Sequence, residues 1–151
     1  MPRIVVLGTS GAGKSTLATA LARFYVIPHI DLDELPNDEL RARVEHVLAT
    51  TPAWVIDGDY QRLVGDSVLS AAGTAVWLDL PLRVSLLRMW RRTLRKRLLR
   101  EPRLLVWVGH EVKSHLRRRL TMPARLRRHG RLRVVRLRSQ REIDHWLGSV
   151  D

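Results

Sequence analysis

Short apolar runs alternate along this chain with longer stretches in which apolar residues recur three and four apart. Residues 4–7 (Ile-Val-Val-Leu), 54–56 (Trp-Val-Ile) and 74–80 (Thr-Ala-Val-Trp-Leu-Asp-Leu) are continuous and rich in β-branched or aromatic side chains. Such runs predict strands covered on both faces. Residues 29–33 (His-Ile-Asp-Leu-Asp) predict a shorter strand with acids at its end, and 133–137 alternates like a fifth. Helical spacing appears at 17–25 through Leu17, Ala18, Leu21 and Ala22, before Pro28. A second helix is predicted over about 39–49, with Leu40, Val44, Val47 and Leu48 on one face and Asn37 or Asp38 as its cap. The spacing also predicts helices over 83–100, ended by Pro102, over 104–120, ended by Pro123, and over 140–147. Strands separated by helices imply an α/β architecture, a five-stranded parallel sheet with helices on both faces. At 151 residues this is one domain, 1–151.

The junction after the first strand carries the chemistry. Gly8, Thr9, Ser10, Gly11, Ala12, Gly13, Lys14 and Ser15 match G-x-x-x-x-G-K-[ST], and Thr16 follows. Glycines let backbone amides curl around phosphates without Cβ clashes, forming an anion nest at a helix N-terminus. Lys14 can reach the β- and γ-phosphates, and the Ser15 hydroxyl can ligate Mg²⁺. The expected fold is therefore the three-layer P-loop NTPase fold, with ATP and Mg²⁺ as its ligands. An acid at the end of a buried strand suits the carboxylate that orients the metal and its waters. Asp57 ends the third strand and Asp79 lies near the end of the fourth; Asp57, after the third strand, also lies on the acceptor side and is the preferred partner of Ser15.

Composition narrows the class further. With no cysteine, disulfides and thiolate metal sites are excluded, and a cytoplasmic location is expected. The first apolar run is too short for a signal peptide, and no stretch approaches the ~20 apolar residues of a bilayer span. The net charge of +12 is concentrated: residues 83–138 carry twenty Lys/Arg against two acids, Glu101 and Glu111. Phosphate-rich partners favour such a segment, whereas an arginine-rich composition (24 Arg, three Lys) also produces solvated helix faces. His110 and His115 are five apart, unsuited to a helical metal pair, and His29 and His46 have no partner at ligand spacing. Trp90 and Trp107 read as helix-packing residues sooner than as base-stacking platforms.

The loop together with Trp54-Val-Ile-Asp57-Gly58-Asp59-Tyr60-Gln61-Arg62 resembles the adenylate-kinase-like nucleotide kinases, whose matching strand ends in Asp-Gly-Phe-Pro-Arg. It is more similar still to small bacterial P-loop proteins labelled DNA topology modulation proteins or adenylate-kinase-related kinases. Those carry Leu-Asp-x-Leu after the second strand, Trp-Val-Ile-Asp-Gly-Asn-Tyr, then Trp-Leu-Asp-Leu-Pro before an arginine-rich helix. The counterparts here are Leu32-Asp33-Glu34-Leu35, residues 54–60 and residues 77–81, in an order that covers nearly the whole chain. The resemblance implies a lid-like basic helical segment over about 88–128. It implies that Arg88 and Arg92, an i,i+4 pair on one helix face, join Lys14 in stabilising the transferring phosphoryl. It implies that Asp33 orients an acceptor hydroxyl, and that Arg41, Arg43 and Arg62 hold an acceptor phosphate. Ser139, Gln140 and Arg141 fall where relatives wrap the adenine ring. Two functions are compatible with these residues: an ATP- and Mg-dependent phosphotransferase acting on a nucleotide or other small acceptor, and an ATP-binding regulatory protein that binds nucleic acid through the basic segment.

Overall fold

The computed structural model describes residues 1–58, 64–95 and 104–150, and, within its helices, side chains other than those at 37, 65, 92–95 and 104–107. Five strands, β1 (Arg3–Gly8), β2 (His29–Asp31), β3 (Trp54–Asp57), β4 (Thr74–Leu78) and β5 (Arg133–Leu137), form one sheet in the order β2-β3-β1-β4-β5. Every pairing is parallel. The helices are α1 (Lys14–Tyr25), α2 (Asn37–Thr50), α3 (Gly65–Ala71), α4 (Leu82–Arg95), α5 (Leu104–Arg127) and α6 (Gln140–Gly148).

Alternation along the strands sends side chains to opposite faces, and each face has its own apolar layer. Val5, Leu7, Trp54, Ile56, Ala75 and Trp77 meet α2, α3 and the end of α5, from which Val44, Val68, Met122 and Leu126 are buried. Ile4, Val6, Val55, Val76 and Leu78 meet α1 and α6 through Leu17, Leu21 and Ile143. The register explains why one parity serves the whole sheet: Val5 is level with Ile56 on one side and Ala75 on the other. Fully burying one such side chain contributes about 1.5–3 kcal/mol, so the two layers hold the C-terminal ends of β1, β2 and β3 in a fixed order.

Three local features depart from the expected elements. α3 is not legible in the sequence, because seven residues beginning at Gly65 give barely two helical turns. Pro123 does not end α5, which runs on to Arg127. A proline inside a helix loses one hydrogen bond and crowds the preceding turn, but Met122 and Leu126, one turn apart, are both buried in the core and hold the helix across it. The second strand stops at Asp31, and Leu32–Glu34 forms a 3-10 turn capped by the Asp31 carboxylate, which accepts from the Asp33 amide at 2.9 Å. From Glu111 onward, α5 packs against the loop after β1 and against the sheet. No helix among the described residues is long and apolar enough to cross a membrane.

Candidate active site

The loop between β1 and α1 turns on left-handed glycines. Gly11 has φ +74°, and a Cβ there would lie 2.9 Å from the Ser85 carbonyl oxygen, so α4 can approach only a glycine. The turn closes with the Ala12 amide donating to the Thr9 carbonyl at 3.1 Å, and α1 begins at Lys14. First-turn amides of a helix have no intrahelical acceptor, and the helix dipole makes that end electropositive. The Lys14 ammonium lies over this loop, donating to the Thr9 carbonyl at 3.4 Å. α5 holds the loop from outside: Glu111 accepts from the Ser10 amide at 3.1 Å, and Arg118 donates to the Gly8 carbonyl at 2.6 Å.

Beside the loop, the ends of β2 and β3 lie level, with Asp31 opposite Asp57. The Ser15 hydroxyl donates to Asp57 Oδ2 at 2.8 Å and lies 3.3 Å from Asp31 Oδ2. Asp57 is fully buried, and its other oxygen meets His29 Nε2 at 2.5 Å. Gly58 makes this arrangement possible. Its φ is +127°, and a Cβ there would stand 2.9 Å from Leu32 Cβ and 3.0 Å from the Asp33 amide. The Asp-Gly pair therefore ends β3 and admits the acidic turn after β2 alongside it.

A cavity of about 620 Å³ opens over the loop, lined by 10–17 together with Ala20, Asp33, Arg88, Met89, Gln140, Ile143, Asp144 and Leu147. The Arg88 guanidinium spans it, donating to the Ala12 carbonyl at 3.1 Å and to Gln140 Oε1 at 2.6 Å. Gln140 in turn donates to Asp144 at 2.8 Å. Lys14, Ser15, Thr16, Asp33, Arg88 and Gln140 therefore share one chamber. Gly8 and Thr9 stand behind it; Thr9 is buried, with its hydroxyl 3.4 Å from that of Ser85.

Other expected residues stand elsewhere. Ser139 caps α6, its hydroxyl accepting from the Glu142 amide at 3.2 Å, and Arg141 is exposed outside the cavity. Arg41 and Arg43 are exposed on α2, and Arg41 faces Glu45 at 3.8 Å. Neither lines the cavity. Arg62 and the side chain of Arg92 lie outside the described residues. Asp79, the rival of Asp57, does not meet Ser15: Arg136 Nη2 binds it at 2.6 Å and Arg119 Nε at 3.0 Å. The fold also brings in two residues that sequence reasoning passes over. Asp31 reads there only as an acid at a strand end, and His29 as a histidine without a partner. The signal available is the period of two, which puts both on one face of β2.

The donor set fits Mg²⁺. It offers a hydroxyl and two carboxylates, all hard oxygens, and no three His, Asp or Glu side chains among the described residues form a cage of their own. Mg²⁺ characteristically takes one or two protein ligands and completes its shell with water and phosphate oxygens.

The element order, the loop after β1 and the chamber above it define the fold of the P-loop kinases. The chain is similar over 99% of its length to shikimate kinase from Bacteroides thetaiotaomicron, with 19% identity, 95% of that chain covered and a TM-score of 0.58. It is similar to shikimate kinase from Acinetobacter baumannii in complex with shikimate over 99% of this chain and 90% of that one, with 16% identity and a TM-score of 0.63. A gluconokinase from Sinorhizobium meliloti matches with 22% identity over 99% and 93% of the two chains, at a TM-score of 0.53. No protein-family model matches the chain, and no curated protein matches it in sequence.

Proposed function

We propose that this chain is an ATP- and Mg-dependent phosphotransferase that moves the γ-phosphoryl group of ATP to a small hydroxyl- or phosphate-bearing acceptor, a nucleotide or another small molecule. One observation carries the reading. The phosphate-binding loop, Lys14, the Ser15–Asp57 hydrogen bond, Arg88 and the acid Asp33 all meet at one chamber. In this reading the loop amides and Lys14 hold the β- and γ-phosphates. Arg88, kept in place by Ala12 and Gln140, neutralises charge on the phosphoryl as it moves. Asp33 orients the acceptor hydroxyl and receives its proton as the new O–P bond forms and the bond to ADP breaks. Ser15 with Asp57 and Asp31 would hold Mg²⁺, which supplies charge neutralisation at the phosphates. The adenine is expected against α6, near Gln140. The finer resemblance to the adenylate-kinase-related proteins supports Arg92 as a second phosphate ligand and Arg41, Arg43 and Arg62 as acceptor contacts.

A coupled ADP-release screen over nucleoside monophosphates, nucleosides, sugar acids and other polyols, with and without oligonucleotides, tests the proposal. Acceptor-dependent turnover that disappears in Lys14→Ala is the expected result. ADP release that responds to oligonucleotides and to no small acceptor would overturn it. That outcome belongs to a second reading, nucleic-acid binding through the basic segment, which has its own support: Arg127, Arg128, Arg131 and Arg133 are exposed and have no ion-pair partner among the described residues.

A further inference from the structure

The buried carboxylate beside the loop is held from two sides, and only one of its partners belongs to the loop. Asp57 has no solvent exposure. A buried carboxylate is costly unless its lone pairs are satisfied. Its Oδ2 accepts from Ser15, and its Oδ1 lies 2.5 Å from His29 Nε2. A carboxylate only accepts, so the proton at this contact sits on Nε2 of the imidazole. The far nitrogen, Nδ1, lies 3.4 Å from the Thr19 hydroxyl on α1. A chain of contacts thus runs from α1 through Thr19, His29 and Asp57 back to Ser15 at the head of the same helix.

The direction of the Ser15 hydrogen bond gives this chain a purpose. A hydroxyl has one proton and two lone pairs. Donating the proton to Asp57 Oδ2 turns the lone pairs away from the carboxylate, toward the chamber where a cation on the phosphates would sit. Asp31 Oδ2, at 3.3 Å, offers the same hydroxyl a competing acceptor. An Asp57 free to rotate about its Cα–Cβ or Cβ–Cγ bond would lose that competition and leave the hydroxyl in two orientations. His29 prevents this by occupying Oδ1. Its place is set by the strand: His29 lies two residues before Asp31, on the same face of β2 and one strand from Asp57.

We propose that His29 is a positioning residue for the metal-ligating hydroxyl of Ser15, acting through Asp57. This rests on the phosphotransferase reading, since it concerns the metal that reading requires. Partners behind a metal ligand typically contribute 10–100-fold in metal affinity or activity. Removal of the Nε2–H should therefore weaken retention of the divalent cation in the nucleotide complex without weakening the nucleotide's own hold on the loop.

The experiment measures Mn²⁺ binding to the ADP complex by electron paramagnetic resonance, and metal-free ADP binding by calorimetry in EDTA. Wild type, His29→Leu and His29→Gln are compared. The glutamine amide nitrogen reaches about as far as Nε2, whereas leucine fills the space with no donor. The expected result is a loss of about 10-fold or more in Mn²⁺ affinity for His29→Leu, with metal-free ADP affinity within about twofold of wild type. His29→Gln should recover most of the loss. If the leucine variant does not fold, His29→Asn, polar but one bond too short to reach Oδ1, must show the same loss. Wild-type Mn²⁺ affinity in the leucine or asparagine variant overturns the proposal, and so does an equal fall in metal-free ADP affinity, which marks a merely structural role. A wild-type ADP complex that binds no Mn²⁺ sinks the phosphotransferase reading itself, so the two failures are distinguishable.

Discussion

Two groups of arginines in the basic segment, one at each end of the parallel sheet, are used in opposite ways. At the C-terminal edge of the strands four guanidinium groups are engaged. Arg88 ties Ala12 to Gln140, Arg118 holds the Gly8 carbonyl, and Arg119 and Arg136 close on Asp79. At the N-terminal edge, Arg127, Arg128, Arg131 and Arg133 are exposed and make no ion pair among the described residues. The edge assignment follows from the register, since Arg133 is level with Thr74 at the start of β4, and Leu137 with Leu78 at its end. α5 connects the two populations. From Arg118 to Arg127 the helix rises about 13 Å. A charge block that is continuous in sequence is therefore divided by strand polarity: Arg127 to Arg133 lie at the N-terminal edge, while Arg118 before them and Arg136 after them lie at the edge that carries the loop after β1.

Replacing Arg88 gives the sharpest contrast. Phosphate-clamping arginines contribute about 10³–10⁵ in rate, so Arg88→Ala should lower acceptor-dependent turnover by about 10³-fold or more. Thermal unfolding should change little, because its two partners are a loop carbonyl and an exposed glutamine. Steady-state kinetics and a melting curve on one preparation check both points. Normal turnover in Arg88→Ala would place the working arginine elsewhere.

A smaller effect is expected at Asp79, whose partners serve the fold. Its carboxylate is buried, while Arg119 and Arg136 are partly exposed, and the Arg136 guanidinium also stacks 4.3 Å from the Trp77 ring centroid. Removing the carboxylate leaves two arginines that water can reach, so the loss is that of hydrogen bonds to a charged group, about 1.5–3 kcal/mol. Urea unfolding of Asp79→Ala measures it. A midpoint indistinguishable from wild type would mean that Arg119 and Arg136 are as unengaged as the arginines of the opposite edge.

His115 lies within the engaged population and adds a pH dependence to it. Its ring is buried and neither nitrogen has a hydrogen-bond partner among the described residues. Burial, and after it the Arg119 charge, hold the imidazole below its ordinary value of 6.5, against the opposing pull of Asp79 and Glu111. The unfolded chain then binds a proton at a pH where the folded chain does not, so stability rises with pH through this window. The contribution of neutral His115 is present above 6.5 and is lost as pH falls below that value. In His115→Leu the acid limb of a melting-temperature profile between about pH 5 and 7.5 should flatten. An unchanged limb would assign the titration to another group.

Much of this is legible in the sequence, and the physical reason differs by element. β1 and the loop to Ser15 can be read in full, because a buried strand and a glycine-rich turn are both local patterns. Strand order is what separates Asp57 from Asp79 in the sequence, and in the fold it is Asp57 that accepts from the Ser15 hydroxyl. His29 and Asp31 escape notice as a pair with Asp57, because their meeting depends on β2 and β3 being neighbours, and no local pattern states which strands are adjacent. Pro123 misleads for a related reason: its local cost is outweighed by Met122 and Leu126, whose burial is a property of the whole sheet. Charge along a chain likewise does not say which edge of a sheet each arginine of the basic segment reaches.

The smallest effect on turnover is expected at the opposite edge. Among the described residues, the turns at the N-terminal edge, 26–28, 51–53, 72–73 and 128–132, contain no Asp or Glu. The four arginines there meet no counter-charge from the strand connections. Changing Arg127, Arg128, Arg131 and Arg133 to Gln should leave acceptor-dependent turnover within about twofold of wild type, since none of them lines the chamber. Duplex DNA binding should respond instead, if these residues bind phosphates. The slope of log affinity against log salt would flatten by about 0.9 for each phosphate that is no longer neutralised. Titrating wild type and the fourfold variant with one duplex at two salt concentrations separates the outcomes. Equal slopes would make the four arginines a solvated face and remove the support for the nucleic-acid reading. A flattened slope with normal turnover would give the two edges different ligands. A large fall in turnover would refute the division itself, because it would require charge about 13 Å along α5 from Arg118 to act at the phosphoryl group.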